Sequence, residues 1–304
     1  AFMSSTSKNM QNHFRQVADI IKKKFIKDKS NIMEIGCNDG IFLQNFRKFN
    51  HLGVEPSKNV CQISKSKKLN VVNSFFNKKL INQNKLKNNF DVIFAANVIC
   101  HVPDIITLFK NIELSLKDDG VFIFEEPYLG DVIEKTSYDQ IYDEHFYLFS
   151  VNAISSIIKN LNLKVFNAER ISTHGGSIRY YIQKKGARKK NKKLIEILDY
   201  ENKIKITNIN TIKNFAKKCL ESKNRTLKLL KNIKNKGLKI YGYGATSKST
   251  TIINFCNLKK NYLDGIFDTS PTKIGNYAPG PDIKVIDYKI FNKLDDNHYA
   301  LKKI

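Results

Sequence analysis

The sequence lacks tryptophan and holds only six prolines and five cysteines among its 304 residues. The cysteines, which form neither a Cys-x-x-Cys pair nor an alternating Cys/His cluster, are Cys37, Cys61, Cys100, Cys219 and Cys256. Their scatter favours reduced thiols over a disulfide framework and predicts no metal site. No apolar run approaches the roughly 18 residues of a membrane span, and no charged-then-apolar leader precedes the first predicted helix. We therefore expect a cytoplasmic protein that does not contact a membrane.

Acidic residues are also scarce, since 28 Asp and Glu stand against 52 Lys and Arg, for a formal charge of +24. Such a charge would suit the phosphate backbone of a nucleic acid. The lysines, however, are spread among many asparagines and isoleucines without an RNA-binding motif, which indicates a compositional bias. We therefore expect no nucleic-acid partner. A phosphorylated small substrate would be drawn to a basic cleft in the same way.

The chain is long enough for two domains, and its patterns predict an α/β fold. A Rossmann-like domain is predicted over residues 1–186. A helical linker and a second, smaller Rossmann-like α/β domain are predicted over residues 187–304. The boundary lies where the chain becomes basic and glycine-containing, at residues 185–193. The oligomeric state stays open.

Residues 31–55 have the pattern of a cofactor-binding βαβ unit. An apolar strand carries Glu34, a turn runs from Gly36 to Gly40, and a helix of about ten residues leads to a strand that ends at Glu55. Glu34 would repel a pyrophosphate but suits the ammonium of S-adenosylmethionine, and Glu55 can hold both ribose hydroxyls. The pattern favours a methyltransferase loop over a nicotinamide loop, although a glycine turn in another α/β domain would look similar.

Two further segments extend this predicted cofactor site. An aromatic residue near the end of the third strand, Phe75 or Phe76, could stack on adenine, although core packing explains it equally well. The fourth strand ends at Asn97, which we expect beside the sulfonium, with His101 on the substrate side. The predicted cofactor-binding residues are Glu34, Gly36, Asn38, Asp39, Gly40, Glu55, Phe76 and Asn97.

Residues 138–150 form a polar, aromatic segment that packing alone does not explain. His145 offers a general base that titrates near neutrality, Glu144 a carboxylate, and Tyr142 a phenol that can donate to an oxyanion. The alternative is a set of surface residues that cap a helix. The pattern predicts a catalytic segment with Tyr142, Glu144 and His145, assisted by His101.

Residues 238–248 repeat the pattern of strand, glycine turn and helix. Gly242 and Gly244 precede a predicted helix N-terminus and could cradle a phosphate, with Lys248 adding charge. A purely structural turn explains this short motif nearly as well. Arg179, which follows a Gly-Gly-Ser-Ile stretch in a predicted edge hairpin, is the second candidate for binding substrate phosphates.

Taken together, these stretches resemble one family along nearly the whole chain. It comprises the S-adenosylmethionine-dependent C-methyltransferases that act on nucleotide-linked 4-keto-deoxysugars. The resemblance is carried by residues 4–7, 34–40, 53–57, 97–104, 126–129, 141–145, 175–179, 241–245, 273–275 and 279–280.

This resemblance implies methyl transfer to the carbon beside the sugar's keto group, through an enolate. It implies His145 as the base, Tyr142 and Glu144 in the same segment, and His101 near the substrate. The cofactor would be S-adenosylmethionine and the partner a nucleotide-linked sugar. Two alternatives stay open: an O- or N-methyltransferase acting on a sugar or other small molecule, and a basic nucleic-acid-binding protein or RNA methyltransferase.

The sequence departs from this family in three places. Relatives usually carry an N-terminal cysteine-rich zinc-binding segment, which this sequence does not contain, so we expect either a truncated chain or a member without that module. Asp143 stands where the family often has a second histidine. The sequence stops at residue 304, where relatives usually continue, which leaves the completeness of the second domain open.

Overall fold

The computed structural model describes residues 4–186, 188–280, 282–293 and 298–301. Its contacts divide the chain into two compact units, Ala1–Asp131 with Phe146–Thr207, and Val132–His145 with Asn208–Ile304. The boundary suggested by the sequence leaves residues 187–207 in the second domain, whereas these contacts group them with the first unit. The domain boundary itself stays a prediction.

The first unit is built on a seven-stranded sheet. Its strands are β1 (Asn31–Ile35), β2 (Asn50–Val54), β3 (Val71–Val72), β4 (Phe90–Ala96), β5 (Leu116–Pro127), β6 (Leu163–Ile171) and β7 (Ser177–Lys184). The order is β3-β2-β1-β4-β5-β7-β6, with β1 to β5 parallel and β7 antiparallel between β5 and β6. The predicted α/β class and the hairpin at the sheet edge are confirmed.

Helices cover both faces of this sheet. They are α1 (Lys8–Phe25), α2 (Lys58–Ser66), α3 (Lys78–Gln83), α4 (Ile105–Ser115), α5 (Leu129–Lys135), α6 (Val151–Ile157) and α7 (Lys192–Lys203). Helix α1 begins after Ser7, whose Oγ accepts a hydrogen bond from the Met10 N–H, as the serine-rich start predicts. Buried Phe14, Val17 and Ile21 pack against β1, β4 and β5. This apolar stripe therefore lies on a face of the sheet.

The segment between Gly40 and β2 is not the predicted helix of about ten residues. It contains a single 3-10 turn at Leu43–Phe46. Phe42 and Phe46 are completely buried, and the Phe42 ring stacks on Phe94 with 3.9 Å between centroids. Ile41, Phe42 and Leu43 are buried in succession, and three consecutive residues do not lie on the narrow apolar face of an amphipathic helix.

Strand β3 also ends before Phe75 and Phe76, which were predicted to lie near its end. It ends at Val72 because the next side chain bonds to neighbouring backbone. Asn73 Nδ2 donates to the carbonyl oxygens of Glu55 at 2.8 Å and Pro56 at 2.9 Å. Such side-chain bonds compete with a sheet ladder.

The second unit has a four-stranded parallel sheet. Its elements are α8 (Ile209–Lys234), β8 (Lys239–Tyr243), α9 (Ser247–Phe255), β9 (Gly265–Asp268), β10 (Val285–Asp287) and β11 (His298–Leu301). The strand order is β10-β9-β8-β11. Leu230 of α8 packs with Ile240, Ile253 and Ile266 in its core. This is the order expected for half of a Rossmann-like sheet.

Among the described residues, none of the helices is both long and apolar enough to cross a lipid bilayer. The expected cytoplasmic location stays a prediction.

Candidate active site

The loop after β1 bends sharply at the carboxyl end of the sheet. Gly36 has φ +69° and donates its N–H to the Val54 carbonyl at 2.8 Å, and Gly40 has φ +77° and donates to the Cys37 carbonyl at 2.9 Å. Asn38, between them, also has a positive φ of +48°. The backbone therefore turns back on the ends of β1 and β2, where ligands of doubly wound sheets bind.

Replacing Gly36 by alanine is expected to disrupt this loop. The new Cβ would lie 2.4 Å from Cγ2 of Val98, and the left-handed backbone adds strain of about 1–2 kcal/mol. Thermal unfolding and calorimetric titration with S-adenosylhomocysteine should show lower stability and weaker binding. Gly237→Ala is the control, because Gly237 has φ +74° but no atom within 4 Å of the new Cβ. Equal losses in the two variants would contradict the close packing of the loop.

Glu55, at the end of β2, holds the loop in place. It is 6% exposed, and its two carboxylate oxygens accept the backbone N–H groups of Asn38 at 2.9 Å and Ser57 at 2.8 Å. Each carboxylate oxygen can accept a second hydrogen bond. Glu55 therefore fixes the loop and retains capacity for the ribose hydroxyls predicted from the sequence.

Two other acids of this loop carry a buried oxygen without a hydrogen-bond partner among the described residues, Glu34 Oε2 and Asp39 Oδ1. Burial raises the pKa of Glu34 well above its usual value, and the charges of Asp39 and Glu55 raise it further. Buried acceptors without donors are costly. A cationic, donor-rich group such as the ammonium of S-adenosylmethionine would satisfy them, so the residues present fit that cofactor.

The turn that carries His101 is held by Glu126, which the sequence analysis missed. Oε1 of this completely buried residue accepts the N–H groups of Val98 at 2.9 Å, Ile99 at 2.6 Å and Cys100 at 3.3 Å. Residues 126–129 contributed to the family resemblance, but nothing in the sequence assigned this role to Glu126. Glu126 thereby positions His101 through the backbone.

The remaining predicted cofactor residues lie in different surroundings. Asn97 ends β4 with φ +54° and donates its N–H to the Glu125 carbonyl at 2.9 Å, next to Val98, which contacts the cofactor loop. Phe76 is half-buried and packs on the core, whereas Phe75 is 71% exposed. The adenine-stacking role stays a prediction.

Residues 138–145 of the predicted catalytic segment, including Tyr142, Glu144 and His145, belong to the second unit, and residues 146–150 belong to the first. The rings of Tyr142 and His145 are 4.0 Å apart between centroids, and the His145 N–H donates to the Tyr142 carbonyl at 2.9 Å. Nδ1 of His145 lies 2.8 Å from the Gln140 carbonyl oxygen. Because a carbonyl can only accept, Nδ1 carries the proton and Nε2 of the neutral ring is basic. Glu144 is exposed in the same segment, and His101 belongs to the first unit.

The loop after β8 repeats the backbone arrangement of the cofactor loop. Gly244, with φ +93°, donates its N–H to the Phe267 carbonyl at 2.7 Å. The Asp268 carboxylate accepts the N–H groups of Ala245 and Ser270, both at 2.8 Å. Asp268 thus stands where Glu55 stands in the first unit. In both units the N–H of a glycine donates to the carbonyl of the residue that precedes the acid. The carboxylate of the acid accepts one N–H from the glycine loop and one from the second residue after the acid.

The charge of the second loop is opposite to that of the first. The second loop has Gly242 two residues before Gly244, whereas the first loop has Glu34 two residues before Gly36. Lys273 Nζ lies 2.7 Å from the Ala245 carbonyl and 3.5 Å from Asp268 Oδ2. Lys248 lies in the first turn of α9. The second loop therefore suits an anionic, ribose-containing ligand better than a cationic one.

Arg179 does not have the surroundings of a phosphate-binding residue. It is buried, with Nε 2.6 Å from Glu125 Oε1 and NH1 3.6 Å from Glu169 Oε2. Glu125 also lies 2.6 Å from Nε2 of His13. The guanidinium is neutralised across β5, β7 and β6, so the structure lends no support to the predicted substrate role of Arg179.

The acids around Arg179 should make the fold sensitive to acid. Burial alone would raise the pKa of Glu125, but the His13 hydrogen bond and the Arg179 charge outweigh it, and the pKa is lowered. A carboxyl group whose pKa is lowered by folding stabilises the fold at pH values above its pKa in the unfolded chain, which is about 4.3. That stabilisation is lost as the pH falls through the lower folded pKa.

Arg179→Met is expected to destabilise the fold by about 3–5 kcal/mol at pH 7, because it removes the buried cation that Glu125 and Glu169 share. The loss should shrink as the pH falls and protons neutralise these carboxylates. Urea denaturation at pH 7 and pH 4.5 measures both effects. The exposed Arg225→Met on α8 is the matched control. A loss no larger than in this control would contradict the role of Arg179.

Two family models match successive stretches of the chain. Residues 9–168, more than half of the chain, match the family model described as a methyltransferase domain. The chain belongs to this methyltransferase family. Residues 172–301 of the methyltransferase match a second model, described as the C-methyltransferase C-terminal domain.

Two curated proteins and one solved structure are similar to this methyltransferase. C-methyltransferase NovU from Streptomyces niveus is 23% identical over 289 residues, which cover 93% of this chain and 69% of NovU. A tRNA U34 carboxymethyltransferase from Campylobacter jejuni subsp. doylei is 26% identical over 150 residues, or 44% of this chain and 50% of that protein. The crystal structure of the PH0226 protein from Pyrococcus horikoshii shares the fold, with a TM-score of 0.50 and 16% identity over 60% of this chain and 95% of that one.

These matches confirm the expected resemblance to S-adenosylmethionine-dependent C-methyltransferases at the level of the family. The protein is an S-adenosylmethionine-dependent methyltransferase, as predicted. Around one loop the structure gathers the predicted residues Glu34, Gly36, Asn38, Asp39, Gly40 and Glu55. The roles of the individual residues stay predictions.

Proposed function

We propose that this methyltransferase transfers a methyl group to the carbon beside the ketone of a nucleotide-linked 4-keto-deoxysugar. The observation that carries the proposal is the base in the catalytic segment. Nδ1 of His145 lies 2.8 Å from the Gln140 carbonyl oxygen, so the neutral imidazole carries its proton on Nδ1 and its basic nitrogen is Nε2. The match to a C-methyltransferase C-terminal domain and the similarity to C-methyltransferase NovU support carbon as the acceptor.

The reaction requires the removal of a proton from a weakly acidic carbon. The proton passes to Nε2 of His145, and the C–H electrons form an enolate with its negative charge on the ketone oxygen. Tyr142 can donate to that oxygen, and one preorganised donor commonly contributes about 2.7–4 kcal/mol. Glu34, Asp39 and Glu55 would hold S-adenosylmethionine, which would supply the methyl group: the enolate carbon would form the new C–C bond as the S–CH3 bond breaks and S-adenosylhomocysteine leaves. His145 then releases its proton to solvent.

The second loop supports a nucleotide-linked substrate rather than a free sugar. Asp268 retains lone pairs for ribose hydroxyls beyond the two backbone bonds that it accepts. Lys248, Lys273 and the N-terminus of α9 provide positive charge for phosphates. The absence of an acid equivalent to Glu34 removes the repulsion that the cofactor loop would exert on a diphosphate.

Calorimetric titration with uridine and thymidine diphosphates tests the nucleotide part. The wild type should bind one of them, and Lys248→Ala should weaken binding about tenfold, or 1.4 kcal/mol. Lys260→Ala, a lysine elsewhere in the second unit, should bind as the wild type does. A folded wild type that binds S-adenosylhomocysteine but neither diphosphate would reject a nucleotide-linked substrate. Affinity for mixed RNA that falls steeply with salt and survives His145→Gln would favour an RNA substrate instead.

A further inference from the structure

The catalytic segment is anchored to the carboxyl end of α9. Tyr138, at the start of the 3-10 turn Tyr138–Gln140, is buried. Its ring lies 5.0 Å from that of Phe255 between centroids, and its hydroxyl lies 3.8 Å from Sγ of Cys256. Cys256 is itself 1% exposed. Tyr138 therefore attaches residues 132–145 to the second unit across a long sequence separation.

The other end of α9 begins in the second loop. Thr246 caps the helix, and its side chain and that of Ser249 form reciprocal hydrogen bonds with the backbone. Helix α9 has nine residues, a length of about 13 Å. One short helix thus joins the loop proposed for the nucleotide to the contact made by Tyr138.

From Tyr138 the connection continues to the proposed base. The Ile141 N–H donates to the Tyr138 carbonyl at 3.0 Å, which closes the 3-10 turn. The same turn ends in Gln140, whose carbonyl bonds Nδ1 of His145 at 2.8 Å. A shift of Tyr138 would therefore move the carbonyl that sets the tautomer and orientation of His145.

We propose that Tyr138 is a positioning residue that couples occupancy of the second loop to the placement of His145. The inference rests on the proposed nucleotide-linked substrate. Binding energy from a remote part of a substrate can be used to orient the reacting groups. The nucleotide should then raise kcat as well as lower KM, and this effect should pass through Tyr138.

The ring signal of His145 provides a direct readout. The protein is labelled with ¹³C-histidine, and His145→Gln identifies the signal among six histidines. Uridine or thymidine diphosphate should shift it in the wild type. Tyr138→Ala should bind the diphosphate with unchanged affinity, but its His145 signal should not shift. Tyr138→Phe keeps the ring contact with Phe255 and should show the same shift as the wild type. Tyr277→Ala, which removes an exposed tyrosine of the same unit, should behave like the wild type.

Turnover gives an independent readout. With a nucleotide-linked 4-ketosugar, Tyr138→Ala should lower kcat about 100-fold with little change in KM, the size expected for a misplacement of about 1 Å. Phe255→Leu disturbs the contact from the helix side and serves as the second variant if Tyr138→Ala does not fold. The coupling would be overturned if a folded Tyr138→Ala or Phe255→Leu variant bound the diphosphate and its His145 signal shifted as much as in the wild type. Failure of the wild type to bind any diphosphate would reject the nucleotide-linked substrate, and the coupling with it.

Discussion

Replacing His145 by glutamine is expected to lower the rate of methyl transfer about a thousandfold, within the 10²–10⁴ range of general-base catalysis. A glutamine amide can still donate to the Gln140 carbonyl, but it offers no basic nitrogen in place of Nε2. The rate is measured with saturating cofactor and a nucleotide-linked 4-ketosugar. Exchange of the sugar's α-proton with D₂O should fall in parallel, because it reports proton removal alone.

His51→Gln is the matched control for this substitution. His51 Nδ1 also lies near a carbonyl, that of Phe49 at 3.0 Å, but its Nε2 accepts the Asn70 N–H at 3.2 Å. We expect this variant to retain the wild-type rate. If His145→Gln kept a third or more of the wild-type turnover, His145 would not be the base.

Replacing Glu55 by alanine is expected to weaken binding of S-adenosylhomocysteine by at least about 100-fold. The loss combines charge-assisted hydrogen bonds to the ribose, at about 1.5–3 kcal/mol each, with release of the loop that Glu55 fixes through Asn38 and Ser57. Calorimetric titration measures it. Glu55→Gln should give an intermediate affinity, because the amide keeps one acceptor.

The repeated arrangement in the second unit supplies a reciprocal control. Asp268→Ala removes the equivalent acid, and we expect it to weaken diphosphate binding while leaving S-adenosylhomocysteine affinity unchanged. Glu55→Ala should leave diphosphate affinity unchanged. Loss of S-adenosylhomocysteine binding in Asp268→Ala, or its retention in Glu55→Ala, would contradict the assignment of the two loops.

Local pattern was sufficient to predict the two strands and the glycine turn that build the cofactor loop, but not the segment between Gly40 and β2. A short apolar strand followed by Gly36 and a second strand before Glu55 are typical of this corner of a doubly wound sheet, whereas core packing replaces the predicted helix by a 3-10 turn. Ser7 marked the start of α1 because a side-chain oxygen at a helix N-terminus satisfies backbone donors.

Features set by distant contacts could not be predicted in this way. The charge of Arg179 suggested a phosphate site, but the sheet register places it opposite Glu125 and Glu169. The anchor of the catalytic segment joins Tyr138 to Cys256, 118 residues away. The role of Glu126 could not be predicted because it depends on which backbone groups lie across the sheet. Neither strand register nor long-range packing can be read from a single sequence.

Carbon as the methyl acceptor is tested most directly by nuclear magnetic resonance of the product. The enzyme is incubated with S-adenosylmethionine carrying a ¹³C methyl group and with a nucleotide-linked 4-keto-deoxysugar that is uniformly ¹³C-labelled. Transfer to the carbon beside the ketone predicts a new methyl signal with one-bond carbon–carbon coupling to that position. A labelled methyl group without such coupling would place it on oxygen or nitrogen and contradict the proposed reaction.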